Sequence, residues 1–147
     1  MERLTFREHS KLYLDAAPII YSVEEHPNYW PSLQQVWARL DEGAIKVITS
    51  ELSLLETLVV PIRDQNTRLV EAYETLLTGF RVEMLPITDT VLRSAAKLRA
   101  EQNFKTADAI HCATALSSGC DILIANDAGF RRLANINVVI LSDLLAE

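Results

Sequence analysis

With 147 residues, the chain is long enough for one domain with a sizeable core and too short for two domains of ordinary size. Its hydrophobic fraction of 49% and charged fraction of 23% are those of an ordinary soluble globular protein. The formal net charge of −6 argues against a protein that coats nucleic acid, which would be basic. It does not exclude a nuclease that faces phosphates with metal ions and a few local basic residues.

The first part of the chain alternates predicted strands with predicted helices. In order, these are a strand over 11–15, a helical turn over 17–27, a helix over 30–43, a strand over 45–49 and a helix over 51–62. The assignments rest on short apolar runs for the strands and on apolar residues at helical spacing for the helices. Ser50 is predicted to cap the last of these helices, and Pro61 to interrupt it.

The second part continues the same alternation. It contains a predicted helix over 64–79, a strand over 80–86, helices over 89–102 and 106–119, a strand over 121–125, a short helix over 127–134, a strand over 137–141 and a helical turn over 142–147. Asp64 is predicted to open the first of these helices, and Thr88 and Thr106 to cap the next two.

Strands that alternate with helices predict an α/β fold with a parallel sheet of four to five strands, flanked by helices on both faces. Reactive groups in such sheets lie at the carboxyl ends of strands, near the point where the strand order reverses. We predict one domain over residues 11–147, preceded by an extension over 1–10 to which the sequence assigns no role.

The same sequence predicts a cytoplasmic protein. Residues 1–10 carry charges and lack the apolar core of a signal peptide, and no apolar run is long enough to span a membrane. Cys112 and Cys120 do not suggest a disulfide framework, and Cys112 lies in an apolar helix as a small core residue.

Four acidic residues lie at or just beyond the ends of predicted strands, or on helices beside them. Asp15 ends the first strand and Asp127 follows the fourth. Asp108 is in the first turn of the helix before that strand, and Glu56 is in an apolar helix after the second strand. We therefore expect the four carboxylates to converge on one edge of the sheet.

Each of these residues also has a purely structural interpretation. Asp108 can stabilise a helix N-terminus, and Asp127 can cap the helix that follows it. Asp15 can be a turn residue, and Glu56 can lie on a solvated face. His111, three residues after Asp108, is interpreted as an ordinary helix histidine without a catalytic role.

Taken together, the four acids favour a metal site. Carboxylates brought close together repel one another, so their pKa values rise unless a cation is present. Mg²⁺ or Mn²⁺ takes oxygen ligands of this kind. Zinc is not expected, because the sequence has no paired Cys or His spacing.

Four segments resemble, in order along the chain, the PIN-domain ribonucleases, and most of all the VapC-type toxins of bacterial toxin–antitoxin pairs. These segments are YLDAAPIIY, SELSLLETL, TADAIHCATAL and ILIANDAGFRRL. The resemblance runs from about residue 11 to residue 143. It implies a Mg²⁺- or Mn²⁺-dependent endoribonuclease that hydrolyses RNA phosphodiester bonds, forms a homodimer and is inhibited by a small cognate antitoxin.

The resemblance also assigns roles to residues. It implies that Asp15, Glu56, Asp108 and Asp127 are the catalytic, metal-binding acids, and that Asn126 is the polar residue beside the last of them. Glu56 is preferred over Glu51 as the ligand, because helix-dipole stabilisation and exposure suffice to explain Glu51.

The chain departs from the family pattern at three positions. Ala16 and Ala17 follow Asp15, where many members have Thr or Ser, and Ala125 precedes Asn126, where many have a hydroxyl residue. The missing hydroxyls leave fewer hydrogen bonds to orient the acids.

Two kinds of surface are predicted from the residues around these motifs. The candidate phosphate contacts are Lys97, Arg99, Lys105, Arg131 and Arg132, each of which can instead be part of a solvated face. The candidate partner surfaces are the segment 27–40 and the helix around Leu69, Tyr73 and Leu77, although Trp37 can equally belong to the core.

Two alternative functions remain open from the sequence. A phospho-receiver signalling module is also a parallel α/β domain with clustered acids, but it needs an acidic pair after the first strand, where this chain has only Asp15. A PIN fold that binds RNA without cleaving it is opposed by the retention of all four acids.

Overall fold

The computed structural model describes residues 4–145, which fold around one five-stranded parallel sheet. The strands are β1 (Ser10–Leu14), β2 (Ile45–Ser50), β3 (Val82–Leu85), β4 (Ile122–Ala125) and β5 (Asn137–Ile140). The helices are α1 (Ala16–Val23), α2 (Trp30–Asp41), α3 (Leu52–Arg63), α4 (Thr67–Thr78), α5 (Asp89–Gln102) and α6 (Thr106–Ser117). Two short 3₁₀ helices cover Ala128–Arg132 and Leu141–Leu145.

The strand order is β3-β2-β1-β4-β5, with β1 at the centre. Leu12 of β1 pairs with Val47 of β2 on one side and with Ile122 of β4 on the other. The order therefore reverses between β1 and β4, and a crevice is expected where these two strands end. A phospho-receiver has the order 2-1-3-4-5, so the strand order excludes that alternative.

Helices cover both faces of the sheet, as predicted. On one face, α5 and α6 bury Val91, Ala95 and Cys112 against the strands. On the other face, Ile19 of α1 and Tyr73 of α4 are fully buried. The predicted α/β architecture is confirmed, since all neighbouring strands of the sheet pair in parallel and helices pack on both of its faces.

The described part of the N-terminal extension, from residue 4 onwards, also contacts the domain. Leu4 is buried on the same face of the sheet as Ile19 and Tyr73. The backbone N–H of His9 donates to the carbonyl of Ala44 at 2.7 Å. β1 begins at Ser10, one residue before its predicted start.

Several predicted helix boundaries need correction. Asp64 does not open α4 but ends α3, because its N–H bonds to the carbonyl of Val60. The cap of α4 is instead Asn66, whose Oδ1 accepts from the N–H of Leu69 at 3.2 Å. Pro61 does not break α3, since a proline removes only one backbone donor and the helix ends two residues later, at Arg63.

The capping predictions have mixed outcomes. Thr88 caps α5, accepting from the N–H of Val91 at 3.1 Å, and Ser50 accepts from the N–H of Leu52 at 3.0 Å at the start of α3. Thr106, in contrast, is the first residue of α6 rather than its cap; Lys105 precedes it and makes no side-chain capping bond.

The apolar residues suggested as a partner surface lie mostly inside the molecule. Tyr73 and Leu77 are buried, so the prediction that they form an outer surface is wrong. Trp37 is also buried, which is the core position that the sequence left open for it. Large apolar side chains are instead exposed along α3, at Leu55, Val59, Val60 and Ile62. None of the helices within residues 4–145 is both long and apolar enough to cross a membrane.

Candidate active site

Asp15 lies at the point where the strand order reverses. Its backbone N–H donates to the carbonyl of Ile124 in β4 at 3.3 Å, and it immediately precedes α1. Thr49 of β2 donates to the carbonyl of Leu14 at 2.7 Å, which fixes the end of β1 from the other side. The backbone at Asp15 is therefore held between the two neighbouring strands.

The Asp15 side chain is buried and incompletely satisfied. It is only 8% exposed, and its Oδ1 is the one buried side-chain nitrogen or oxygen in residues 4–145 that lacks a hydrogen-bond partner. Ala16 and Ala17 follow it and carry no hydroxyl that would donate to this oxygen. Buried polar atoms without a partner are rare in folded proteins and call for an explanation.

Burial raises the pKa of the Asp15 carboxyl from 3.8 to about 7. His111 opposes this increase, whereas the negative charges of Glu56 and Asp108 add to it. The carboxylate of Asp15 thus lies within electrostatic reach of two of the other predicted acids, as the sequence-based hypothesis requires.

Asp108 brings the fourth acid into the same group. Asp108 is the third residue of α6. Burial raises the pKa of its carboxyl, and the negative charges of Asp127 and Glu56 add to this increase, whereas His111 and Lys105 oppose it. A methyl group placed on Gly129 would lie 3.2 Å from Asp127 Oδ1 and 4.0 Å from Asp108 Oδ2. The two carboxylates therefore border the same small space.

Asp127 also has the structural role that the sequence left open. Its Oδ1 accepts from the N–H of Gly129 at 2.8 Å and so caps the 3₁₀ helix that follows β4. Asn126 braces this turn, accepting from the N–H of Ser142 at 2.8 Å and donating to the hydroxyl of Tyr21 at 3.2 Å.

Glu56 reaches the site through a contact that the sequence analysis missed. Its Oε1 lies 2.6 Å from Nε2 of His111, and Nδ1 of the same ring lies 2.6 Å from the hydroxyl of Tyr13. His111 is only 2% exposed. In the sequence, the position of His111 three residues after Asp108 was the sign that it belongs to the site, because this spacing places both side chains on one face of α6.

The start of α3 is tied to the sheet close to this contact. The hydroxyls of Thr49 and Ser53 are 2.7 Å apart, and both side chains are fully buried. Since Thr49 also bonds to the end of β1, the two elements that carry Asp15 and Glu56 are held to each other.

Electrostatic interactions link the four acids. Within the described part of the chain, no three His, Cys, Asp or Glu side chains are arranged to hold a metal ion. Glu56 is bonded to His111, and one oxygen of Asp127 is bonded to Gly129. The donor set is made of carboxylate oxygens, with Asp15 Oδ1 unpartnered, which is the chemistry of a hard divalent cation that retains several waters.

A cysteine nucleophile is not part of this site. Cys112 lies on the same helix as Asp108, but burial raises the pKa of its thiol to about 12, with the charges of Asp108 and Asp15 adding to the increase. The thiolate is the reactive form, so Cys112 is a core residue, as the sequence predicted.

Most of the predicted phosphate contacts are occupied by structural interactions. Arg131 pairs with Asp143, Arg132 donates to the carbonyl of Asn103, and Arg99 donates to that of Phe104. Lys105 is exposed, immediately precedes α6 and acts electrostatically on Asp108.

A PIN domain family model matches residues 12–136 of this chain. Since the match covers most of the sequence, the chain belongs to the PIN domain family. The resemblance seen in the four sequence motifs is thereby confirmed. No curated protein sequence matches the chain.

Solved toxin–antitoxin structures share the fold. VapBC2 from Rickettsia felis, bound to a promoter DNA fragment, is 14% identical, with a TM-score of 0.70, 88% of this chain covered and 98% of that one. VapC20 from Mycobacterium tuberculosis, a sarcin–ricin loop cleaving toxin, is 18% identical, with a TM-score of 0.68 and coverage of 82% and 92%. VapBC-1 from nontypeable Haemophilus influenzae is 19% identical, with a TM-score of 0.65 and coverage of 90% and 98%.

Proposed function

We propose that this protein is a divalent-metal-dependent endoribonuclease and the toxin of a type II toxin–antitoxin pair. The observation that carries the proposal is the buried Asp15 carboxylate, which has an unpartnered oxygen and lies near further acids at the strand-order reversal. A buried charge among like charges is costly unless a cation accompanies it. Membership of the PIN domain family supports the same interpretation.

The ion is proposed to be Mg²⁺ or Mn²⁺, with Asp15, Glu56, Asp108 and Asp127 as its carboxylate partners. Mg²⁺ is typically held by one or two carboxylates and keeps several waters, so the four acids need not all bind it directly. When bound, such an ion lowers the pKa of a coordinated water and polarises the phosphoryl group.

The remaining contributions come from the chain itself. The backbone bonds at Asp15 and the Thr49–Ser53 pair keep the acids at fixed positions. Lys105, beside Asp108, is the basic residue best placed to contact an RNA phosphate. The net negative charge of the chain disfavours binding to nucleic acid in general, so the protein would recognise its RNA substrate by the local shape of the RNA.

The proposed partners are RNA, a small cognate antitoxin and a second copy of the chain, acting in the cytoplasm. The antitoxin is supported by the solved neighbours, which are VapBC pairs. An RNA substrate is supported by the description of VapC20 as a toxin that cleaves the sarcin–ricin loop. Both cysteines are free thiols, which suits a reducing compartment.

The metal requirement is tested by removing and restoring the ion. The purified protein is incubated with a panel of structured RNAs in EDTA, and then with Mg²⁺ or Mn²⁺ in excess. We expect no cleavage in EDTA and cleavage after either ion is restored. Cleavage that persists in EDTA would contradict the proposal, and RNA binding without cleavage in Mn²⁺ would favour the RNA-binding alternative instead.

A further inference from the structure

A chain of hydrogen bonds joins the buried side chains of Tyr13 and His111 to Glu56, one of the four acids. We propose that His111 is a positioning residue, which holds the Glu56 carboxylate in the orientation that the metal centre uses, while Tyr13 fixes the imidazole ring. This inference rests on the proposed function, because the orientation of Glu56 matters only if Glu56 contributes to a metal site.

The first argument is the setting of Glu56 on α3. Its neighbours Leu55 and Val59 point into solvent, yet the Glu56 side chain is only 29% exposed and is directed towards α6. A glutamate on a helix surface samples several rotamers, and fixing one of them costs conformational entropy. The 2.6 Å contact with Nε2 of His111 offsets that cost and selects a single orientation.

The second argument comes from counting donors and acceptors. A carboxylate has no proton to donate, so His111 Nε2 must carry the hydrogen of the bond to Glu56. Nδ1 of the same ring lies 2.6 Å from the Tyr13 hydroxyl, which can donate to this nitrogen or accept from it. The two contacts together give both ring nitrogens a partner and fix the plane of the ring.

The third argument is the position of the ring among the acids. His111 acts electrostatically on Asp15 and on Asp108, in addition to its direct bond to Glu56. A histidine that merely fills the core would contact apolar groups or a single backbone carbonyl. This ring bonds to one proposed metal-binding acid and lies within electrostatic reach of two others, so its removal affects the site as well as the packing.

The first experiment examines the hydrogen bonds without any metal. The protein is labelled with ¹⁵N in its histidine rings, and the ring resonances are recorded in EDTA at neutral pH. We expect the Nε2 resonance of His111 to be that of a nitrogen whose hydrogen is bonded to Glu56. Glu56→Gln should move the Nε2 resonance, and Tyr13→Phe the Nδ1 resonance, whereas Asp89→Asn on the exposed start of α5 should move neither.

The second experiment measures Mn²⁺ affinity by titration. His111→Leu should weaken binding by roughly 10–100-fold, the usual effect of losing a partner that orients a metal ligand. His111→Gln, whose amide can still donate to Glu56, should restore most of the affinity. Thr114→Val is the matched control on the same helix, because Thr114 is equally buried and its hydroxyl donates to the carbonyl of Ile110 rather than to an acid.

A double-mutant cycle separates positioning from general damage to the fold. In a Glu56→Gln background, His111→Leu should cause little further loss of Mn²⁺ affinity, because the ligand that it orients is already altered. Tyr13→Phe gives an independent arm if His111→Leu does not fold, and it should weaken Mn²⁺ binding by a smaller factor.

The outcomes distinguish this inference from the proposed function. Wild-type binding of Mn²⁺ that is unchanged in His111→Leu and in Tyr13→Phe would overturn the positioning role alone. Equal losses from His111→Leu with and without Glu56→Gln would also overturn it. A wild type that binds no Mn²⁺, with the ring resonances as expected, would overturn the proposed function and with it the role of His111 towards a metal.

Discussion

Glu51 and Ile87 are joined by a hydrogen bond in which the N–H of Ile87 donates to Glu51 Oε1 at 2.8 Å. The backbone N–H of Glu51 donates in turn to the carbonyl of Leu85 at the same distance. Glu51 therefore ties the start of α3 to the segment that leaves β3. This structural role replaces the helix-dipole explanation that the sequence suggested for Glu51.

The two glutamates of this region should respond differently to the same substitution. Glu56→Gln removes a proposed metal-binding charge, so we expect Mn²⁺-dependent cleavage to fall by roughly 10-fold or more. Glu51→Gln keeps an oxygen that accepts from Ile87 and should leave activity within about 3-fold of the wild type, since such surface changes have small effects. Initial cleavage rates on one RNA decide between them; the reverse pattern would mean that Glu51 is the ligand.

Asp15→Asn should stabilise the metal-free protein. Burial raises the pKa of Asp15 to about 7 in the folded state from 3.8, so ionisation disfavours folding. This difference in pKa between the folded and unfolded states corresponds to a loss of folding free energy of at most about 4 kcal/mol when Asp15 is ionised. After local relaxation we expect roughly 1–2 kcal/mol, which raises Tm in EDTA by several degrees.

The pH dependence of that stabilisation has a definite sign. An acid with a raised folded-state pKa contributes stability while both states are protonated, and this contribution is lost as the pH rises through about 7. The Tm advantage of Asp15→Asn should therefore be small near pH 4, grow towards pH 7 and then level off. An advantage that does not change with pH, or a variant less stable than the wild type throughout, would mean that Asp15 is an ordinary turn residue.

Mn²⁺ should stabilise the folded wild type, because an ion that binds only the folded state raises its stability by mass action. At a concentration about 100 times Kd the gain is roughly 2.7 kcal/mol. Asp15→Asn and Asp108→Asn should lose most of this gain in thermal melts. Asp89→Asn, an exposed residue paired only with Arg93, is the control and should retain it.

The exposed apolar side chains of α3 should be covered in a homodimer. Leu55, Val59 and Ile62 recur at helical spacing along α3 and are all exposed. Light scattering should give about twice the chain mass, and Val59→Lys should shift the protein towards the monomer. Leu92→Lys, at an exposed position on α5, should not. A wild type that is monomeric at high concentration would contradict the proposed homodimer.

The fold could be predicted from local sequence patterns because apolar strands and amphipathic helices alternate regularly. Helix ends were less predictable, since several residues nearby can cap the same turn. Asp64 and Asn66 are both suitable capping residues, and only the backbone path shows that Asn66 caps α4 and Asp64 ends α3. Partner surfaces were also hard to predict. Helical spacing shows that a helix such as α4 has an apolar face, but it does not show whether that face, which carries Tyr73, packs inside the molecule or against a partner.

The position of the acids was predictable for a different reason. The carboxyl ends of parallel strands lie at one sheet edge, so Asp15 and Asp127 were placed by topology alone. The contact between His111 and Glu56 was not, because it joins residues 55 positions apart on two helices. A histidine on an apolar helix is compatible with many partners, and only the packing of α6 beside α3 selects this one.

The central claim is that Asp15 belongs to a metal-dependent ribonuclease centre, and cleavage of a structured RNA by the Asp15→Asn variant in Mn²⁺ tests it most directly. The rate is measured with enzyme in excess, beside the wild type and Asp89→Asn, after each variant is shown to be folded. We predict that Asp89→Asn cleaves like the wild type and that Asp15→Asn is slower by roughly 100-fold or more, because the lost charge holds the ion that stabilises the transition state. Equal cleavage by folded Asp15→Asn and wild type would contradict the account.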